Sequence, residues 1–157
     1  MPEAHNHRDG SILDYNYITD GIYIGTNQCC ALGLSEVLKK EGVTVDISLE
    51  DTRLDHPFGV AMYVWLPTPD HTPPTIGQLT FGVQALKETV RQKRKVYVHC
   101  KNGHGRASTL VAAYFISLGK TVDESVEIIK KGRPAIHLQD IQKEALELFA
   151  LAQKQSQ

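Results

Sequence analysis

Two features that are common in secreted and membrane proteins are missing from this sequence. It contains three cysteines, of which Cys29 and Cys30 are adjacent, so a disulfide framework cannot form. No apolar run approaches the roughly 18 residues of a membrane-spanning helix, and the first residues contain no apolar segment typical of a secretory signal. We therefore expect a cytoplasmic protein that has no integral membrane segment and works in a reducing environment.

A strong net charge is also lacking. The 17 basic and 18 acidic side chains give a formal net charge of −1, so no overall field attracts nucleic acid, and any preference for anions must arise locally. The chain has 157 residues and no internal repeat, which fits one domain. We expect this domain to occupy residues 12–153, with tails at 1–11 and 154–157. In the first tail, His5 and His7 lack the further ligands that a metal site needs.

Short runs of β-branched and aromatic residues alternate with segments of helical periodicity. The strand-like runs are residues 15–18, 22–24, 43–49, 60–66 and 96–98. Helical patterns fall between the later runs and after the last one, and this order predicts an α/β domain with a central, mostly parallel or mixed sheet flanked by helices. The acidic link at residues 50–55 is expected to be a solvated loop.

The segment that organises the chain is residues 96–109, with the sequence VYVHCKNGHGRAST. A predicted strand ends just before Cys100, and the next five residues include Gly103 and Gly105. Glycines at alternate positions allow positive φ angles and let successive N–H groups turn toward one point, which forms a cradle for an anion. Arg106 and the helix predicted after it bring a guanidinium group and a positive helix end to the same cradle.

These groups would favour the thiolate form of Cys100, which would then be a nucleophile aimed at the phosphorus of a bound phosphate. The alternative is that Cys100 is an ordinary buried cysteine and that the glycines only form a turn. The combination of strand, cysteine, glycine-rich turn, arginine and helix favours the nucleophile.

The run HCKNGHGR resembles the Cys-x5-Arg signature of the protein tyrosine phosphatase superfamily, in its compact dual-specificity branch. The resemblance implies a phosphatase in which Cys100 forms a phosphocysteine and in which neither a metal ion nor a cofactor takes part. It also implies that the substrate phosphate is bound by the loop and the arginine, namely Lys101, Asn102, Gly103, His104, Gly105 and Arg106.

The resemblance further implies a general acid in a loop before the nucleophile. Asp70 lies thirty residues before Cys100, in a segment where four prolines restrict φ and exclude helix. Asp70 is therefore predicted to protonate the leaving oxygen and then to activate the hydrolytic water. Asp51 and Asp55 are weaker candidates, because they precede the strand predicted at residues 60–66.

Three neighbours of the signature are given supporting roles by the resemblance. His99 is expected to orient the nucleophile through hydrogen bonds. The family usually has Ser or Thr directly after the arginine, where the hydroxyl group stabilises the thiolate, whereas this chain has Ala107 followed by Ser108. One turn of helix holds 3.6 residues, so Ser108 is expected to point elsewhere. Breakdown of the phosphocysteine is therefore expected to be slow.

Two other pairs of residues have competing interpretations. Gln139 and Gln142 fall where related enzymes can place an amide group that positions water, but they are interpreted as surface glutamines. Cys29 and Cys30 are interpreted as packing residues, with an accessory redox role as the alternative.

The substrate is less defined than the chemistry. No segment resembles the recognition loop that deepens the pocket of large tyrosine-specific members, so the primary prediction is phosphotyrosine in proteins, with phosphoserine and phosphothreonine also accepted. Lys101 and His104 occupy loop positions that phosphoinositide phosphatases fill with basic residues, so a phosphoinositide or inositol phosphate is the alternative. A non-catalytic phosphate-binding module is disfavoured, since Cys100, Arg106 and Asp70 are all present. No nucleic-acid partner is expected, and the oligomeric state is not predicted.

Overall fold

A mixed five-stranded sheet runs through the computed structural model, which describes residues 12–156. In the order β1-β2-β5-β3-β4 across the sheet, the strands are Tyr15–Thr19 (β1), Ile22–Gly25 (β2), Lys95–His99 (β5), Val43–Ser48 (β3) and Met62–Trp65 (β4). β1 and β2 are antiparallel, whereas β2, β5, β3 and β4 are parallel to one another. The predicted α/β class is therefore confirmed, while the predicted tail with His5 and His7 lies outside the described residues.

The register of the parallel strands aligns their carboxyl ends. His99 of β5 pairs with Gly25 of β2 and with Ser48 of β3, and Ser48 pairs with Trp65 of β4. The chain segments that follow these residues consequently emerge at the same edge of the sheet, which is where parallel sheets bind ligands. Cys100, directly after His99, lies at this edge.

Within residues 12–156, five α-helices flank the sheet: Glu36–Glu41 (α1), Ile76–Arg91 (α2), Arg106–Ser117 (α3), Val122–Gly132 (α4) and Asp140–Gln155 (α5). Capping boxes at Thr75 and Thr121 stabilise the first turns of α2 and α4. α5 continues to Gln155, past the expected end of the domain at residue 153. No helix in the described part of the chain is long and apolar enough to cross a membrane.

Alternating side chains of the central strands build a core on each face of the sheet. Val96 and Val98 of β5 pack in the larger core, together with the apolar run of α3, while Tyr97 between them packs in a smaller core with Leu38 of α1. This is the two-residue period of a strand that is buried on both faces. α3 is buried from Arg106 to Ile116, so the helix that follows Cys100 is fixed by packing along most of its length.

The acidic link at residues 50–55 differs from the prediction, because it is not a simple solvated loop. Glu50 and Asp55 are 3% and 4% exposed. The Glu50 carboxylate accepts a hydrogen bond from Asn27 Nδ2 at 3.3 Å, and its carbonyl oxygen accepts one from Trp65 Nε1 at 2.7 Å. Asp55 contacts the ring of His99. Two carboxylates of the link, those of Glu50 and Asp55, therefore have buried partners. Composition alone does not distinguish such a segment from a solvated acidic loop.

Candidate active site

A pocket of about 440 Å³ opens at the carboxyl edge of the sheet. The loop between β5 and α3 forms its floor, and Cys100, the first residue of this loop, is 3% exposed. Besides Cys100, the lining residues include Asp70, Lys101, Asn102, His104, Gly105 and Arg106. The structure therefore brings the predicted nucleophile, arginine and acid together, although Asp70 is far from the other two in sequence.

A buried arginine that the sequence analysis missed holds the outer side of this loop. Arg133 is 1% exposed, and it donates from Nη2 to the carbonyl oxygen of Asn102 at 2.8 Å and from Nε to that of Gly103 at 3.2 Å. Its guanidinium group also binds Asn16 Oδ1 at 2.8 Å and Asp14 Oδ2 at 3.3 Å. In the sequence, Arg133 is recognisable only as an arginine at the end of a helix, a position that many surface arginines also occupy.

Other carbonyl groups of the loop are held from outside as well. Lys101 O accepts a hydrogen bond from Asn27 N at 3.3 Å, and His104 O accepts one from His137 N at 2.9 Å. The C=O and N–H groups of a trans peptide point to opposite sides of the chain. Since its carbonyl groups are held on the outer side, the loop turns its N–H groups toward the pocket, as an anion cradle requires.

Gly103 is required twice by this conformation. Its φ is +71°, and a Cβ atom there would lie 2.7 Å from the carbonyl oxygen of Gly25 on β2. The close approach of the loop to β2 therefore excludes any side chain at this position. The positive φ would also strain the backbone of a residue other than glycine. The inferred need for a glycine with positive φ is therefore confirmed at Gly103 but not at Gly105, whose φ is −116°.

The amino-terminal end of α3 points to the same place. The N-cap residue, Gly105, offers no side chain to the first N–H groups of the helix. These groups are consequently left for a ligand, and the helix dipole favours one that is negatively charged.

Arg106, the first residue of α3, is 3% exposed and is anchored to the loop that carries Asp70. Its Nη1 donates to the carbonyl oxygen of Thr68 at 2.9 Å, and its Nη2 lies 3.5 Å from Asp70 Oδ1. Its Nε is buried and has no hydrogen-bond partner among the described residues. A buried guanidinium donor without an acceptor costs free energy, and a phosphate oxygen in the pocket would satisfy it.

The three aspartates considered as general acid have different surroundings. Asp70 lines the pocket with a side chain that is 58% exposed, and its Oδ1 accepts a hydrogen bond from His71 N at 2.9 Å. Asp51 is 3.5 Å from Arg106 Nη1 but is not among the residues that line the pocket. Asp55 is buried against His99. Asp70 is therefore the aspartate whose position suits an acid, and its role stays a prediction.

Ala107 and Ser108 are both fully buried in the first turn of α3. The hydroxyl group of Ser108 donates to the carbonyl oxygen of Gly103 at 3.3 Å. It therefore supports the outer side of the loop together with Arg133. Ala107 has no hydroxyl group to offer to Cys100, so the departure from the family pattern stands.

The glutamines at the start of α5 are not both surface residues, contrary to the prediction. Gln142 is 1% exposed and lines the pocket. Its Oε1 accepts from Gln139 N at 2.8 Å, and its Nε2 donates to the carbonyl oxygen of Thr72 at 3.1 Å. Gln142 thus joins α5 to the proline-rich loop of Asp70. The capping role at the helix start explains its burial, which periodicity alone could not indicate.

His99 has different partners from those expected. Its Nε2 lies 2.8 Å from Asp55 Oδ2 and 3.0 Å from Asp46 Oδ1. Burial would lower the pKa of His99, but the negative charges of Cys29 and Asp46 and the close contacts of its ring with both carboxylates raise it well above its ordinary value. Burial also raises the pKa of Asp46 to about 6, an effect that His99 partly offsets. Asp46 was missed, although a carboxylate inside a buried strand is a recognisable sign of an ion pair.

The rim of the pocket carries several nitrogen bases. Lys101 and the histidines at positions 71, 104 and 137 line it, and Lys101, His71 and His137 are exposed. His71 and His137 come from the proline-rich loop and from the segment before α5, so sequence alone did not group them with His104. The rim can therefore place positive charge around a bound anion.

Comparison with protein families gives one match that covers most of the chain. The model PTP-SAK, described as Swiss Army Knife protein, DSP-PTPase phosphatase domain, matches residues 27–150. Among individual proteins, the human phosphatidylglycerophosphatase and protein-tyrosine phosphatase 1 is 41% identical over 77 residues, which are 48% of this chain and 38% of that protein. The Arabidopsis thaliana phosphatidylglycerophosphate phosphatase PTPMT2 is 32% identical over 90 residues, which are 56% of this chain and 40% of that protein. The chain thus matches less than half the length of these relatives.

Solved structures share the fold over nearly their whole length. PTPMT1 in complex with PI(5)P has a TM-score of 0.77 and 28% identity, and the match covers 90% of this chain and 97% of that one. Human DUSP28 has a TM-score of 0.81 and 17% identity, and the match covers 90% of this chain and 99% of that one. At this lower identity the likeness concerns the fold alone.

Replacing Arg133 by methionine is expected to lower the free energy of unfolding by about 1.5–3 kcal/mol, the range for hydrogen bonds to a charged group. It should also weaken binding of inorganic phosphate, because the loop carbonyl groups lose their outer partner and the N–H groups lose their orientation. Urea denaturation and calorimetric titration with phosphate would measure the two effects.

The matched control is Arg91→Met, which removes an arginine that is 71% exposed and paired with Glu88. Its effect on unfolding should stay within about 0.5 kcal/mol. Equal behaviour of the two variants would contradict the role of Arg133.

Proposed function

The chain belongs to the DSP-PTPase phosphatase domain family of Swiss Army Knife proteins, and on this premise we propose that it removes a phosphate group from a small alcohol headgroup of the glycerol or inositol type. As a member of this cysteine-based phosphatase superfamily, it would use Cys100 as nucleophile, Arg106 as phosphate ligand and Asp70 as acid and base. The observation that carries the proposal is the partnerless, buried Nε of Arg106 beside a loop whose N–H groups turn toward the same pocket.

The first step transfers the phosphoryl group to the protein. The sulfur of Cys100 attacks phosphorus, and the S–P bond forms as the P–O bond to the alcohol breaks. Asp70, in its protonated form, gives its proton to the leaving oxygen. Arg106 and the loop N–H groups bind the equatorial oxygens, where charge must be stabilised. Arg106 Nη2 lies 3.5 Å from Asp70 Oδ1, so the arginine that would bind the phosphate also holds the acid close to it.

The second step releases inorganic phosphate. The carboxylate of Asp70 accepts a proton from a water molecule as the water oxygen attacks phosphorus. The S–P bond breaks, and its electron pair returns to the sulfur of Cys100 as a thiolate. The same N–H groups and guanidinium group serve both steps, because the phosphoryl group stays in one place while its partners change.

The rim supports a headgroup substrate. Lys101 and the three rim histidines can contact a second anionic or hydroxyl-rich group next to the phosphate being cleaved. The names of two relatives specify phosphatidylglycerophosphate, and one structural relative was solved with PI(5)P. Both lipids carry a phosphate monoester on a polyol, which agrees with such a rim.

Protein phosphotyrosine is the second candidate, and one specific observation favours it. The name of the human relative also contains protein-tyrosine phosphatase. The catalytic residues proposed above would act on either substrate, so only the surroundings of the phosphate differ between the two candidates.

Turnover of three substrates would decide between them. We would compare kcat/KM for short-chain phosphatidylglycerophosphate, short-chain PI(5)P and a phosphotyrosine peptide, using Cys100→Ser protein to measure contaminating activity. We expect one of the lipids to exceed the peptide at least about tenfold, or by about 1.4 kcal/mol in transition-state binding. A preference for the peptide would overturn the headgroup proposal. The absence of any turnover above the Cys100→Ser background would overturn phosphatase activity itself.

Replacing Asp70 by asparagine should lower turnover of alkyl phosphates by about 10²–10⁴-fold, the usual contribution of a positioned acid. Turnover of an activated aryl ester such as p-nitrophenyl phosphate should fall less, because its leaving oxygen needs no proton. Steady-state kinetics on both substrates would show the difference. Asp51→Asn is the matched control, since Asp51 is also 3.5 Å from Arg106. If Asp51→Asn rather than Asp70→Asn causes the loss that depends on the leaving group, the acid has been misassigned.

Ala107 should limit the second step. Without a hydroxyl group beside the sulfur of Cys100, the developing thiolate is less stabilised when water attacks. We expect a pre-steady-state burst with p-nitrophenyl phosphate, and Ala107→Ser should raise the steady-state rate. Rapid-quench kinetics would measure both. A wild-type reaction without a burst, together with an unchanged rate in Ala107→Ser, would show that the loop N–H groups already stabilise the thiolate sufficiently.

A further inference from the structure

A second group of reactive side chains lies behind the active-site loop, and none of its members lines the pocket. It consists of Cys29, Cys30, Asp46, Asp55 and His99, which we call the buried ligand cluster. Four of these residues are 0% exposed, and Asp55 is 4% exposed. They come from the turn after β2, from β3, from the acidic link and from the end of β5, so only the fold brings them together.

The distances within this cluster suit a single metal ion. Each residue offers one ligand atom, and all five atoms lie within 4.8 Å of one another. Cys30 Sγ is 3.2 Å from Asp46 Oδ2, and His99 Nε2 is 2.8 Å from Asp55 Oδ2. With bonds of about 2.0 Å to nitrogen or oxygen and 2.3 Å to sulfur, ligands on a tetrahedral zinc ion lie roughly 3.3–3.8 Å apart. Small outward shifts of these side chains would make room for the ion.

The hydrogen bonds in the cluster leave several polar atoms without partners. Asp46 Oδ1, Asp55 Oδ1 and His99 Nδ1 are buried, and none has a hydrogen-bond partner among residues 12–156. Asp46 Oδ1 is 3.0 Å from His99 Nε2, but the hydrogen bond of that nitrogen is with Asp55. Buried carboxylate oxygens in proteins are normally paired or bound to a metal. These oxygens are therefore available as ligands.

The charges of the cluster also favour a cation. Two carboxylates share a single imidazole ring, and the guanidinium group of Arg53, whose Nη2 donates to Asn27 O, adds a favourable interaction with Asp55. A divalent ion would lie beside two buried carboxylates, and buried carboxylates in proteins are normally paired with a cation or bound to a metal.

We propose that the buried ligand cluster is a structural site for zinc or a similar divalent transition-metal ion, with Cys29, Cys30, His99 and one of the two carboxylates as ligands. Thiolate and imidazole ligands select zinc-like ions over Mg²⁺ and Ca²⁺, which prefer oxygen. The site is independent of the proposed hydrolytic chemistry, because none of the described residues that line the pocket belongs to the buried ligand cluster.

The ion would join the segments that support the nucleophile. It would tie the turn after β2 and strand β3 to the end of β5, one residue before Cys100. Binding would displace protons from the thiols and stabilise the folded state. Cys29 and Cys30 would then be metal ligands, and not only the packing residues predicted from sequence.

Cobalt spectroscopy on the full chain can test the site without relying on activity. The chain has three cysteines, so in Cys100→Ser protein any thiolate-to-cobalt absorption must come from Cys29 or Cys30. Metal-free Cys100→Ser protein is titrated with Co²⁺ alone. We expect about one equivalent to bind, with a thiolate charge-transfer band in the near ultraviolet and the visible bands of tetrahedral cobalt. Added Zn²⁺ should abolish both and raise the melting temperature.

A ligand variant tests the assignment within the same background. Adding Cys30→Ser should weaken zinc binding by more than about 100-fold in chelator competition, since loss of an outer partner alone costs about 10–100-fold. If this variant does not fold, the Co²⁺ titration of Cys100→Ser protein still decides. Absence of a thiolate band there, or a band that only protein with Cys100 shows, would overturn the proposal and place any bound metal at the active site.

Discussion

One buried guanidinium group determines the shape of the active-site loop. Arg133 binds the carbonyl oxygens of Asn102 and Gly103 from the side opposite the pocket. A loop of this kind would otherwise satisfy its carbonyl groups with its own N–H groups, and no cradle would remain. Because Arg133 also contacts Asn16 on β1 and Asp14 just before it, the phosphate-binding loop depends on a strand and a helix that contribute no residue to the pocket.

Arg106 connects the loop that follows β5 with the proline-rich loop that carries Asp70. It begins the helix that follows the loop, and it donates to the carbonyl oxygen of Thr68, two residues before Asp70. Gln142 reaches the same proline-rich loop from α5 through Thr72. The position of Asp70 is thus set by contacts from two helices and by the restricted φ angles of the prolines. Its side chain remains exposed at the pocket, which suits the proposed exchange of protons with substrate and water.

A second group of ionisable side chains is buried next to the start of the loop. Asp46 and Asp55 both contact Nε2 of His99, and the thiol group of Cys30 donates to Asp46. Such a group of ionisable side chains is unusual in the core of a small domain, because each member must find a partner away from water. The group lies next to Cys100 in the chain through His99, and it supplies side chains of the kinds that bind metal ions, whereas the pocket offers a guanidinium group and loop N–H groups, which suit an anion.

The sequence by itself determined the local features of this protein: the capping boxes at Thr75 and Thr121, the strand that ends just before Cys100, and the glycine that the following turn requires. These depend on residues a few positions apart, so their spacing is visible in the chain. Only the tertiary structure decided that Arg133 supports the loop, that Gln142 is buried at the pocket and that the acidic link pairs with His99. Those contacts join residues separated by 30 or more positions, and a single charged or polar letter in the sequence looks the same whether its partner is water or a buried group.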